Sequence, residues 1–233
     1  MIGVFFAAVL DDSAGGVFSV DPLDGEVRTD LLLDTGAGAD PGFAAGLVPF
    51  APLTGALAFA ATTTTGRGGV FVAADATMQT VLAARVVGKR PVTIGPLAAA
   101  GERLLFLARR GRSQRTALFS WTHGRPRPVI EEGRRAPDGG SFAVLPVSAT
   151  EPPFAATSRR VAMIAPVVVR RNATSGLYLA GREGIRRLLL GGRPLGDDGV
   201  LTLGTHVAFQ DDDVVVEGGL VPGAESVLVR VRL

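Results

Sequence analysis

The chain has 233 residues, of which 47% are hydrophobic and 20% charged, and its formal net charge is +2. This composition suits a large folded domain or repeat array and excludes a disordered chain, and no apolar run approaches the roughly 18 residues that a membrane-crossing helix needs. Cysteine is absent, which excludes disulfides, thiolate metal centres and thiol catalysis.

The first ten residues are apolar but carry no basic segment, and Asp11-Asp12 follow at once. They read as a first strand with Phe5 and Phe6, not as a signal peptide. The expected compartment depends on the start of the chain: export if a native leader precedes Met1, the cytoplasm otherwise.

Next comes Gly16-Val17-Phe18, the first copy of a pattern that returns as Gly69-Val70-Phe71, Ala117-Leu118-Phe119 and Gly176-Leu177-Tyr178, with a weaker copy at Ser226-Val227-Leu228. The interval is about fifty residues, a period of propellers and other repeat arrays. An apolar run precedes each strong copy: Val4-Phe5-Phe6-Ala7-Ala8, Leu57-Ala58-Phe59-Ala60-Ala61, Leu104-Leu105-Phe106-Leu107-Ala108 and Val161-Ala162-Met163-Ile164-Ala165. Such continuous runs suit strands buried on both faces.

A third strand ending in glycine follows in three units, closing at Gly36, Gly133 and Gly191-Gly192. In the second unit residues 85–91 replace the glycine-rich loop. A fourth, weaker strand is expected near Phe43, Phe142 and Leu201. The C-terminus then supplies two strands, Val214-Val215-Val216 and Val227-Leu228-Val229-Arg230-Val231. Four short strands per repeat, joined by turns, predict an all-β fold: a β-propeller-like array of four-stranded blades, about five blades with the last incomplete. The whole chain, 1–233, reads as one domain of units 1–54, 55–101, 102–158, 159–210 and a partial 211–233. Phe5, Phe18, Phe59, Phe71, Phe106, Phe119, Met163 and Tyr178 are the expected core.

Gly55-Ala56-Leu57-Ala58-Phe59 satisfies GxxAF, and the loop Gly133-Arg134-Arg135-Ala136-Pro137-Asp138-Gly139-Gly140 is rich in Gly, Pro and Asp. These segments resemble those of bacterial tandem-repeat proteins that carry an NxxGxxAF motif, with Pro52 at the Asn position here. The resemblance implies a propeller-like repeat fold and export for some members. It implies no catalytic residues.

Residues 85–193 hold 20 of the 24 basic residues but 6 of the 22 acidic ones. Arg109, Arg110, Arg112 and Arg115 fall on one connector and are the candidate ligand-binding residues, suited to an anionic polymer or a protein partner. The plain alternative is a set of solvated loop arginines. Nucleic acid is disfavoured, because the basic loops lack aromatic residues for base stacking. Asp211-Asp212-Asp213 and Gly196-Asp197-Asp198-Gly199 read as charged turns and match no calcium-loop spacing. His123 and His206 lack zinc-site spacing. Nucleophile-elbow and phosphate-loop motifs are absent, while Glu102, Glu131, Glu132 and Glu151 are carboxylates that only the fold could pair. No cofactor and no metal are expected. The reading is a non-enzymatic binding or scaffold module. Its alternatives are a propeller-fold enzyme acting on carbohydrate, or adhesion to anionic polymers through the arginine-rich middle.

Overall fold

The computed structural model describes residues 4–9, 15–20, 26–33, 49–62, 68–74, 77–83, 93–110, 114–137, 139–194, 199–223 and 225–233. These residues form strands and turns, with no helix among them. Five antiparallel sheets result. The first contains β1 (Val4–Val9), β2 (Gly15–Val20) and β3 (Val27–Leu33). The second contains β4 (Phe50–Leu53), β5 (Ala56–Thr62), β6 (Gly68–Ala74) and β7 (Thr77–Ala83). The third contains β8 (Ile94–Ala100), β9 (Arg103–Arg110), β10 (Arg115–Trp121) and β11 (Arg127–Glu131).

In the fourth sheet, two short strands, β12 (Ser141–Phe142) and β13 (Phe154–Ala156), pair with opposite ends of β14 (Val161–Val169). β15 (Asn172–Gly181) and β16 (Gly184–Leu190) complete it. The fifth contains β17 (Arg193–Pro194), β18 (Val200–Gln210), β19 (Asp213–Val221) and β20 (Glu225–Val231).

The repeated Gly-x-aromatic pattern has a direct steric cause. Side chains at i and i+2 share one face of a strand. In β15 the Tyr178 ring lies back over Gly176, so that a Cβ there would sit 2.8 Å from ring atoms. In β6 the Phe71 ring covers Gly69 in the same way, at 2.7 Å. Each aromatic also faces the apolar run on the neighbouring strand: Phe6 pairs with Phe18, Phe59 with Phe71, Phe106 with Phe119 and Met163 with Tyr178. The Phe59–Phe71 and Phe106–Phe119 rings stack with centroids 5.6 Å and 5.4 Å apart. A bulge on the third-strand side falls at the aromatic in all four sheets, at Val17/Phe18, Val70/Phe71, Leu118/Phe119 and Leu177/Tyr178. Bulges of this kind bend a strand and sharpen its twist.

The chain forms two compact units, Met1–Ile94 and Gly95–Leu233. Within the first, Val17 packs with Leu57, Phe59, Ala61 and Phe71. Within the second, the fourth sheet is buried on both faces. Val161, Met163, Ala165 and Tyr178 pack with Leu105, Leu107 and Leu118 of the third sheet. Ala162, Ile164, Leu177 and Leu179 pack with Val214 and Val216 of the fifth. Successive residues of β14 thus face different neighbours, which is why its sequence is apolar without alternation. Within this unit the fifth sheet packs on the fourth, and β19 and β20 alternate between more and less buried positions. Of the expected core, Phe59, Phe106, Met163 and Tyr178 are fully buried, and Phe18, Phe71 and Phe119 are 9% exposed or less. Phe5 lies in β1, outside the residues whose side chains are described.

The sheets group their strands differently from the expected units. The weak fourth strand joins the following sheet: Phe142 pairs with Val167 of β14, and β4 and β8 precede β5 and β9. Two-residue turns enforce this. Leu53 pairs with Ala56 across Thr54-Gly55, with Gly55 at φ +70, and a tight hairpin commits its two strands to each other. Leu201 lies in β18, the long strand of the last sheet, instead of opening a fourth strand, and Ser226-Val227-Leu228 lies in β20, a third strand. The C-terminal sheet is therefore four-stranded. Among the described residues the three-stranded sheet is the N-terminal one. The strand expected near Phe43 lies outside the described residues.

Substituting Gly176 by Ala drives a methyl group into a buried ring with nowhere to move. Overpacking of this kind costs about 1–3 kcal/mol, and the Gly176→Ala protein is expected to melt several degrees below wild type. Gly181→Ala serves as the control, at an exposed glycine of the same strand whose Cβ would meet nothing nearer than Arg160 Cγ at 4.0 Å. Calorimetry on the two variants makes the comparison.

Candidate functional site

Three polar constellations stand on this framework, all in the second unit. The first is built by the turn between β16 and β17. Gly191 N–H donates to Ser175 O at 2.8 Å, Gly192 N–H to Leu201 O at 2.8 Å, and Thr174 Oγ1 to Gly191 O at 2.9 Å. Gly192 sits at φ +76, a conformation open to glycine. Pinned in this way, the turn delivers Arg193 opposite Leu201 and Pro194 opposite Val200. An open cleft of about 220 Å³ results, with Arg187 and Arg193 among its walls and Leu188, Leu190 and Leu201 lining it. Leu188 packs against the core between the fourth and fifth sheets, and Leu190 against that between the third and fourth. The cleft therefore brings Arg187 and Arg193 together with leucines of β16 in its lining.

The second constellation is internal. Thr116 is fully buried. Its hydroxyl donates to Glu132 Oε2 at 3.0 Å and accepts from Leu145 N–H at 2.7 Å, while its own N–H donates to Glu132 Oε2 at 2.9 Å. Glu132 N–H returns a bond to Thr116 O at 2.9 Å. Glu132 therefore anchors the loop after β11.

The third links the fifth sheet to the segment entering β13. His206 lies in the irregular part of β18, where pairing with β19 shifts between Leu203 and Val207. Its Nδ1 bonds Glu217 Oε2 and its Nε2 bonds Glu151 Oε2. The hydrogen bond to Glu217, then that to Glu151, raises the imidazole above its usual pKa. β13, β14 and β15 bring no charged residue to β18; β17 brings Arg193, and β19 brings Asp213 and Glu217. Because the two carboxylates take opposite ring nitrogens, they clamp an imidazolium instead of converging on one cation. No group of three acidic or histidine ligands is found among the described residues.

The arginines singled out from sequence lie around the β9–β10 hairpin. Arg110 pairs with Arg115 and Arg109 with Thr116. Arg115 is exposed, whereas Arg109 is part-buried and its Nε has no hydrogen-bond partner. Arg112 lies outside the described residues, as does the side chain of Arg110. Glu102 lies 3.9 Å from His123, both well exposed. Asp211 sits at φ +55 in the β18–β19 turn, Asp212 lies 3.6 Å from Arg160, and Asp213 accepts from Arg230 Nε at 2.5 Å. Asp211-Asp212-Asp213 is thus a turn whose second and third carboxylates face arginines. Sequence reading missed the cleft pair Arg187 and Arg193, although it counted them in the basic middle. It also missed the His206 cluster, whose members are far apart in the chain.

No family model matches the chain, and no curated protein sequence matches it. Among solved structures it is similar to an uncharacterized protein from Listeria monocytogenes, at 9% identity and a TM-score of 0.45; the match covers 98% of this chain and 62% of that one. It is also similar to the SapL1 lectin in complex with alpha methyl fucoside, at 13% identity and a TM-score of 0.35, over 99% of this chain and 81% of the lectin. A third similar structure is a candidate 6-phosphogluconolactonase from Bacteroides uniformis, at 12% identity and a TM-score of 0.37, over 98% of this chain and 80% of that one. The chain spans less than two thirds of the Listeria protein.

The His206 cluster carries a sign that can be tested. A raised folded-state pKa gives stabilisation that is fully present below the unfolded value of about 6.5 and is lost as pH rises through the folded value. An NMR titration is expected to place His206 above 6.5, with Glu217→Gln and Glu151→Gln each lowering it. Replacing Thr116 by Val leaves Leu145 N–H unpaired and is expected to cost about 1–3 kcal/mol in urea unfolding.

Proposed function

We propose that the chain is a non-enzymatic, propeller-like binding module whose ligand is an anionic polysaccharide. The repeated antiparallel meanders supply a rigid frame, and the cleft beside β16 and β17 is the binding site. The observation that carries this reading is the pairing of Arg187 and Arg193 with a leucine floor in one cleft. Guanidinium groups bond carboxylate or sulfate oxygens, while the apolar face of a sugar ring packs on the partly exposed leucines of β16.

Retention on immobilised heparin at rising salt tests it, because exposed charge contacts weaken as the Debye length shortens. The wild-type protein is expected to bind at low salt and to elute as salt rises, and Arg187→Ser with Arg193→Ser is expected to elute much earlier. A parallel variant replaces Arg109, Arg110, Arg112 and Arg115 by Ser and is expected to elute like wild type. Early elution of that variant with normal elution of the cleft variant would move the site to the β9–β10 hairpin. No retention of the wild type would overturn the anionic-ligand reading.

A further inference from the structure

Arg170 and Arg171 form the two-residue turn between β14 and β15, since Val169 pairs with Asn172. Both take positive φ, 49° and 74°. That backbone favours Asn-Gly, because the Cβ of any L residue crowds the following carbonyl oxygen there. Both arginines are exposed. Local rules broken without structural compensation point to function.

The placement of this tip gives the strain a purpose. The turn that presents Arg193 is bonded to Thr174 and Ser175 of β15, and Thr174 is three residues, about 10 Å of strand, from Arg171. At the other end of the cleft Arg187 pairs with Tyr178, about 23 Å along β15 from Arg171. Between Val161 and Pro194 the chain carries six arginines and one carboxylate, Glu183.

We infer that Arg170 and Arg171 extend the cleft into a linear basic track, so that the ligand is a polymer held at several sugars, not a single acidic sugar. This rests on the cleft reading above and deepens it.

The variant Arg170→Asn with Arg171→Gly separates charge from fold, because Asn-Gly keeps the turn and relieves its strain. Its melting temperature is expected to match or exceed that of wild type. Its affinity for a heparin hexasaccharide is expected to fall about five-fold or more, while its affinity for the disaccharide stays unchanged. Arg187→Ser with Arg193→Ser should weaken both ligands. If the tip variant binds the hexasaccharide as wild type does while the cleft variant does not, the track is refuted and the cleft stands. If neither variant weakens binding, track and cleft both fall. A wild-type protein that binds disaccharide and hexasaccharide equally would also overturn the track.

Discussion

An aromatic ring folded back over the glycine two residues before it governs how the second and fourth sheets pack. In β15, Tyr178 covers Gly176; in β6, Phe71 covers Gly69. The folded ring lies against the first strand of its own hairpin and leaves a smooth face for the neighbouring sheet. Phe142 of β12, in the same sheet, meets Tyr178 edge-on, with centroids 4.9 Å apart and planes at 77°. Edge contacts of this type add about 0.5–1.5 kcal/mol beyond area burial. A side chain at Gly176 would push the ring outward and separate the sheets that the ring now joins.

Burial then sorts the second unit into a largely apolar interior, with Thr116 as a bonded polar exception, and polar rims. Its fourth sheet is covered on both faces, so β14 has no room for charge. Polar ties collect at the margins instead. Arg103, half-buried on β9, donates to Ser120 Oγ at 2.9 Å and reaches Thr157 O at 3.5 Å, and desolvation lowers its pKa. Arg160 faces Asp212 across the fourth and fifth sheets, and His206 is clamped between Glu151 and Glu217. Exposed guanidinium groups stand at the turns, Arg170 and Arg171 among them.

Much of the fold was legible because its cause is local. The Gly-x-aromatic pattern and the run before it lie within one hairpin, so a single strand's sequence carries both the pair and its spacing. The grouping of strands into sheets was less legible. Hydrophobicity marks β4, β8 and β13 as weak strands, but the turn that follows each one decides its partner. The expectation of an incomplete last unit came from that shift in phase. At the site, the basic tip Arg170-Arg171 could be seen as a charged loop, and its positive φ values could not. Arg187 and Arg193 converge through the bonds of Gly191 and Thr174, and Glu151 meets His206 across 55 residues. No spacing rule encodes either meeting.

Native-state hydrogen exchange, resolved by residue, tests most directly whether the doubly covered fourth sheet is the foundation of the second unit. Exchange free energies rise toward the global value where backbone bonds are buried and packed. The account predicts the slowest exchange at Ala162 to Ala165 of β14 and at Leu177 to Leu179 of β15, with β20 exchanging well ahead of them. Exchange in β14 as fast as in β20 would contradict it.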